Sequence, residues 1–74
     1  MDEKVGLRLR NLRKEAGLTQ DELSELSGIS QGHISYLEKT GDLQAVEHLR
    51  NLAAAFHIDP GKLIGLLWPE RKTR

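Results

Sequence analysis

Gln31, Gly32, Ser35, Tyr36 and Lys39 are spaced so that, on a helix, they cluster on one side. Ile34 and Leu37 fall on the other. A 100° step per residue puts Gly32, Tyr36 and Lys39 opposite those two, with Gln31 and Ser35 flanking. An amide, two hydroxyls and an ammonium form no catalytic set. They do match the donors and acceptors of nucleic-acid base edges and phosphates. Any amphipathic helix also has a solvated face, so both readings stand. Gly32 separates them in part, because an exposed mid-helix glycine weakens the helix and suits close approach by a partner's backbone. Gln20 has two readings as well: a phosphate clasp at a helix N-terminus, or a brace for Gln31. Arg13 and Glu38 each lie beside an apolar stripe and read either as an internal ion pair or as two surface charges.

Other chemistry is poorly supported. His33, His48 and His57 have no second ligand at i+3 or i+4, and no HExxH-like arrangement occurs. The chain has no cysteine, which excludes a disulfide framework and a thiolate metal site. No spacing suggests a Ser–His–acid set, and 74 residues leave little room for a substrate pocket. The expectation is a protein that is not an enzyme, without metal, cofactor or small-molecule substrate.

Five helices are expected to carry these residues, with no strand. Val5, Leu9, Leu12 and Ala16 make an amphipathic stripe between Lys4 and Ala16, ended by Gly17 with Leu18 beyond it. Thr19 and Glu22 have capping-box spacing, and Leu18 with Leu23 has staple spacing. Gly28 stops that second helix. Ser30 caps a third, with Ile29 and Ile34 as its staple. Thr40 to Gln44 reads as a loop. A fourth helix from Ala45 to Phe56 puts Val46, Leu49, Leu52, Ala53 and Phe56 on one side. After a break at His57 and Ile58, Asp59 caps a fifth helix with Pro60 at N1, and Ile58 with Leu63 makes a third staple. Pro69 ends it.

The apolar run Leu63, Ile64, Leu66, Leu67 and Trp68 is too rich for one helical face. Leu66 and Leu67 read as core or as interface, and Trp68 as interface at least as readily. Leu7 is expected on the outer side of helix one.

Length bounds the rest. Residues 1–68 are expected to form one domain, with 69–74 as a polar tail frayed from it. A stability of roughly 4–11 kcal/mol follows from per-residue scaling. No apolar stretch suits a bilayer or a secretory leader, so a cytoplasmic location is expected. Eleven basic residues balance eleven acidic ones, whereas DNA-binding domains are usually basic. The distribution is uneven: residues 21–48 carry six acids and only Lys39, while both ends are basic.

Two short helices joined by one glycine turn must cross steeply, which is helix-turn-helix geometry. The stretch VGLRLRNLRKEAGLTQDELSELSGISQGHISYLE, followed by AVEHLRNLAAAFHIDPGKL, resembles the Cro/phage-repressor type of helix-turn-helix, the Xre-like family of bacterial and phage regulators. The element GLTQDEL…GIS…IS..E is highly specific, and the resemblance runs from Val5 to Leu67 without a gap. It implies an all-α, compact five-helix, lambda-repressor-like domain. It also implies sequence-specific binding of double-stranded operator DNA, as a repressor homodimer on a palindrome, with residues 30–39 in the major groove. Position by position, it implies base contacts from Gln31, Gly32, Ser35 and Tyr36. Gln20 takes the phosphate-contacting place. Arg13 and Glu38 take the place of an internal ion pair.

The loop after Glu38 departs from the family. Thr40, Gly41, Asp42 and Gln44 stand where a glycine, then a lysine or arginine, and a proline are usual. That loop normally touches phosphate, a role carried onto Thr40 beside Lys39 at the helix end. Asp42 weakens it, so DNA affinity is expected to depend on salt and dimerisation. The runner-up reading is a protein-interaction module, antitoxin-like or anti-regulator, with weak DNA binding. For the dimer, Leu66, Leu67 and Trp68 are the expected interface.

Overall fold

A computed structural model describes residues 2–69. It contains helices α1 (Glu3–Glu15), α2 (Gln20–Ser27), α3 (Gln31–Thr40), α4 (Val46–Phe56) and α5 (Pro60–Leu67), and no strand among the described residues. Each boundary has a local cause. Asp2 caps α1, its carboxylate accepting from the Lys4 backbone N–H at 3.0 Å. At the other end the Leu18 N–H reaches back to the Arg13 carbonyl and the Gly17 N–H to that of Lys14. This is the paired closure of a Schellman motif. Thr19 and Glu22 form the reciprocal capping box, with bonds of 3.1 and 2.8 Å. Ser30 Oγ accepts from the His33 N–H at 3.2 Å, and Asp59 Oδ2 from that of Lys62 at 3.3 Å with Pro60 opening the helix.

Between α2 and α3 the chain has only residues 28–30. Gly28 turns it at φ +77°, a left-handed conformation that costs a residue with a Cβ about 1–2 kcal/mol. Ile29 then drops into the core. α1 packs on α3 more extensively than on any other helix, while α2 also meets α4, and α5 meets α4 and α1. Gly6 makes the α1–α3 approach close: a Cβ there would strike the main-chain carbonyls of Leu37 and Glu38. Two turns further along α1, Arg13 comes within reach of the Glu38 side chain.

The core draws on every helix: Val5 and Leu9, Leu23, Ile34 and Leu37, Leu52 and Ala53, Leu63 and Leu67. Four expectations change. Leu67 is fully buried within the monomer, so it fills the core and is not an interface residue; α5 turns that side onto its neighbours. Val46 is 63% exposed at the first turn of α4, while Ala55 is buried in its place. α3 extends to Thr40, so the loop begins one residue later. Within that loop Leu43 is buried, anchoring the connection to the core. Ala16, expected on the inward stripe of helix one, is exposed at its end.

α5 stops because Trp68 precedes Pro69, which disfavours helical backbone; Trp68 sits at φ −126°, ψ 63°. Of the expected polar tail, 69–74, residues 70–74 lie outside the described residues. Among those described, no helix is long and apolar enough to cross a membrane.

Candidate nucleic-acid interface

The interface begins with a buried charge pair. Arg13 Nε donates to Glu38 Oε2 at 2.7 Å and Nη2 to Oε1 at 3.2 Å, a two-bond fork. Arg13 Nη1 also donates to the Leu18 carbonyl at 2.9 Å, so α1, its C-terminal turn and α3 are tied by one guanidinium. Both side chains are almost wholly buried. The hydrogen bond from Glu38 raises the Arg13 pKa above its ordinary value, with the carboxylate charge adding and burial opposing.

This pair orients two further residues. A carboxylate can only accept hydrogen bonds, so Gln20 must present its amide NH₂ to Glu38; Nε2 lies 3.2 Å from Oε1. That choice directs Gln20 Oε1 toward Gln31, whose Nε2 donates to it at 3.2 Å. Gln31 therefore stands exposed at the first turn of α3 with one N–H engaged and its orientation chosen by a buried acid two residues away in the relay. Of the two roles open to Gln20, bracing Gln31 is the one its side chain performs here.

Gly32 and Lys39 are exposed, and Ser35 is half-buried. Nothing in the domain occupies the space a Cβ at Gly32 would fill, so internal packing does not require glycine there. Ser35, Lys39 and Gln20 line an open cleft of about 260 Å³ over the ion pair, together with Arg10 from α1. Arg10 was not singled out from the sequence, because nothing in its spacing relates it to α3. In the fold it joins Lys39 as a second cation bordering the amide and hydroxyl groups. Such a rim suits an anionic backbone.

Tyr36 is held differently from expectation. Its hydroxyl donates to Asp42 Oδ2 at 2.9 Å, so the proton a base contact could have used is already committed. The Asp42 bond raises the phenol pKa, burial and the Asp42 charge raise it further, and a Thr40 hydrogen bond opposes them. The Thr40 hydroxyl donates to the Tyr36 carbonyl at 2.9 Å and accepts from the Asp42 N–H at 3.2 Å. The hydroxyl expected on phosphate thus closes the end of its own helix. His33 stacks on the Tyr36 ring at 5.7 Å and meets His48 of α4 at 4.7 Å. These two histidines are 15 positions apart, and no local pattern links them. Among the described residues, no group of three or more His, Cys, Asp or Glu side chains could hold a metal ion.

Residues 9–63 match the family model described as Helix-turn-helix. The chain belongs to the helix-turn-helix family. This helix-turn-helix chain is 38% identical over 60 residues to the uncharacterized HTH-type transcriptional regulator y4dJ of Sinorhizobium fredii, covering 81% of this chain and 78% of that protein. Its fold is similar to that of the restriction-modification controller protein C.AhdI from Aeromonas hydrophila (TM-score 0.73, 35% identity, 81% of this chain and 91% of that one). A variant of the controller protein C.Esp1396I shares the fold at TM-score 0.78 and 22% identity, over 92% of this chain and 91% of that one. The five-helix all-α architecture expected of a lambda-repressor-like domain is the one observed.

Proposed function

We propose that this helix-turn-helix protein is a transcriptional regulator that binds double-stranded DNA, reading a palindromic operator as a homodimer with α3 in the major groove. One observation carries the reading: the Arg13–Glu38–Gln20–Gln31 relay, which presents a pre-oriented amide at the start of an exposed helix. A glutamine amide set this way can bond adenine N6 and N7 at once. Gln31, Gly32, Ser35 and the Tyr36 ring form the base-reading surface. Lys39, Arg10 and the outer N–H of Gln20 hold phosphates, with Thr40 closing the helix beside them. Its likeness to an HTH-type regulator and to a restriction-modification controller protein supports the same role. The work is binding, so the protein is not read as an enzyme, and a cytoplasmic location follows from a DNA partner.

For the homodimer, Leu66 at 40% exposure on α5 and the half-buried Trp68 just beyond it remain, and Leu7 is 53% exposed on α1. α1 and α5 pack together, with Arg8 Nη1 donating to the Leu67 carbonyl at 3.1 Å. To read successive turns of DNA, a two-fold contact through these helices has to set the two α3 helices about 34 Å apart.

The second reading, a protein-interaction module with weak DNA binding, draws on Asp42 at the end of α3 and on the zero net charge. Selection and sequencing of genomic fragments retained at low and moderate salt separates the two. An enriched inverted repeat is expected. Salt-sensitive retention with no enriched sequence would move the interaction-module reading ahead.

A further inference from the structure

Tyr36 lies on the exposed side of α3, yet its ring is pinned at both ends. His33 stacks on it from one turn earlier. Beyond it, Asp42 Oδ2 accepts a hydrogen bond from the hydroxyl at 2.9 Å. Asp42 is itself held in place, because its N–H donates to the Thr40 hydroxyl that bonds back to the Tyr36 carbonyl. Against Asp42 the direction is fixed, since an ionised carboxylate has no proton to give. A phenol has a single O–H, and here it is directed at Asp42.

We infer that Asp42 is a specificity-determining residue, which makes the Tyr36 hydroxyl an acceptor toward DNA and so selects an exocyclic amino group at the base it meets. The inference rests on α3 reading the major groove. There, only adenine N6 and cytosine N4 offer donors, whereas guanine N7 and O6 and thymine O4 are acceptors. A phenol whose proton is committed bonds the first two and opposes its lone pairs to the other three. An unrestrained tyrosine would rotate its hydroxyl and accept either kind. Asp42 thus does more than discourage phosphate in the loop: it removes half of the bases from one position of the operator.

The test is selection from randomised duplexes with the full chain and four variants: Asp42→Ala, Tyr36→Phe, Tyr36→Ala and Gln31→Ala. Circular dichroism melts identify folded material. All three positions are at least partly exposed, so the folded state is expected to persist. With the wild type, one position should admit adenine or cytosine. Asp42→Ala should let thymine and guanine in there, shifting the ratio by about two- to tenfold, the worth of one hydrogen bond. Tyr36→Phe should abolish the distinction between amino and carbonyl bases at that same position. A uniform rise in affinity for Asp42→Ala with the consensus unchanged would overturn the inference, leaving Asp42 as a charge alone. An unchanged consensus for Tyr36→Ala would also overturn it, while a change with Gln31→Ala in the same experiment would keep α3 as the reader. If the wild type enriches nothing, the DNA-reading function itself fails.

Discussion

Arg13 and Glu38 meet in a two-bond fork between α1 and α3, with the shorter bond at 2.7 Å and both side chains nearly excluded from water. Removing one partner strands the other's charge in the interior, which costs about 3–5 kcal/mol. Glu38→Gln and Arg13→Met should each lower the melting temperature by about 10 °C or more in a domain this small. The double variant Arg13→Met/Glu38→Leu should lose less than the sum, because it buries no unpaired charge. Additive losses in a thermal double-mutant cycle would show the pair to be uncoupled.

Gln20 should affect sequence choice as well as affinity. Its Oε1 accepts from Gln31 only because its NH₂ is held by Glu38. Gln20→Ala frees the Gln31 amide to rotate, so discrimination at the base Gln31 reads should fall by about fivefold or more. Competition binding with operators altered at that base measures it. If Gln20→Ala weakens all operators equally, its role is confined to phosphate.

Arg10 and Lys39 border the same cleft from α1 and α3. A phosphate contact releases a counterion, so each alanine variant should make the slope of log affinity against log salt shallower by about 0.9. The enriched consensus should not change. A fluorescence-anisotropy salt series reads both, and a slope unaltered by Arg10→Ala would remove Arg10 from the interface.

The chain has one tyrosine, so its phenol can be titrated by ultraviolet absorbance without overlap from another. The Asp42 bond raises the folded pKa above the ordinary value of about 10. A raised pKa favours the protonated state on folding. The contribution is therefore complete below the unfolded pKa and is lost as pH rises through the folded one. Tyr36 should titrate above the free phenol, and Asp42→Ala should move it back down; equal values in both proteins would mean the bond does not persist in solution.

Leu66 and Leu67 are adjacent and should behave oppositely. Leu67→Ala opens a cavity in the core and should cost about 2–5 kcal/mol in a thermal melt. Leu66→Ser should leave stability of the folded chain nearly unchanged and weaken self-association in sedimentation. Association unaltered by Leu66→Ser and Trp68→Ala would shift the two-fold contact to Leu7.

The five helices were legible in the sequence, since their signals act over three to five residues. The Thr19–Glu22 capping box, the Gly28 turn, the Ser30 cap and the Asp59–Pro60 start are each satisfied within one helical turn. The exposed polar side of α3 was legible for the same reason: Ile34 and Leu37 face the core, so Gln31, Gly32 and Tyr36 face away. How those residues are used depends on contacts that form only in the fold. Glu38 choosing the orientation of Gln20 spans 18 positions, and Arg10 joining Lys39 needs α1 laid across α3. Asp42 is close to Tyr36 in the chain, but reaches its hydroxyl only because Thr40 and the left-handed Gly41 fold the loop back. Leu67 likewise looks no different from Leu66 in an apolar run, until the packing of α5 buries one and leaves the other in water. A periodic pattern specifies which side of a helix is apolar. What that side packs against, and which proton ends on which atom, depends on groups distant in sequence that meet only after folding.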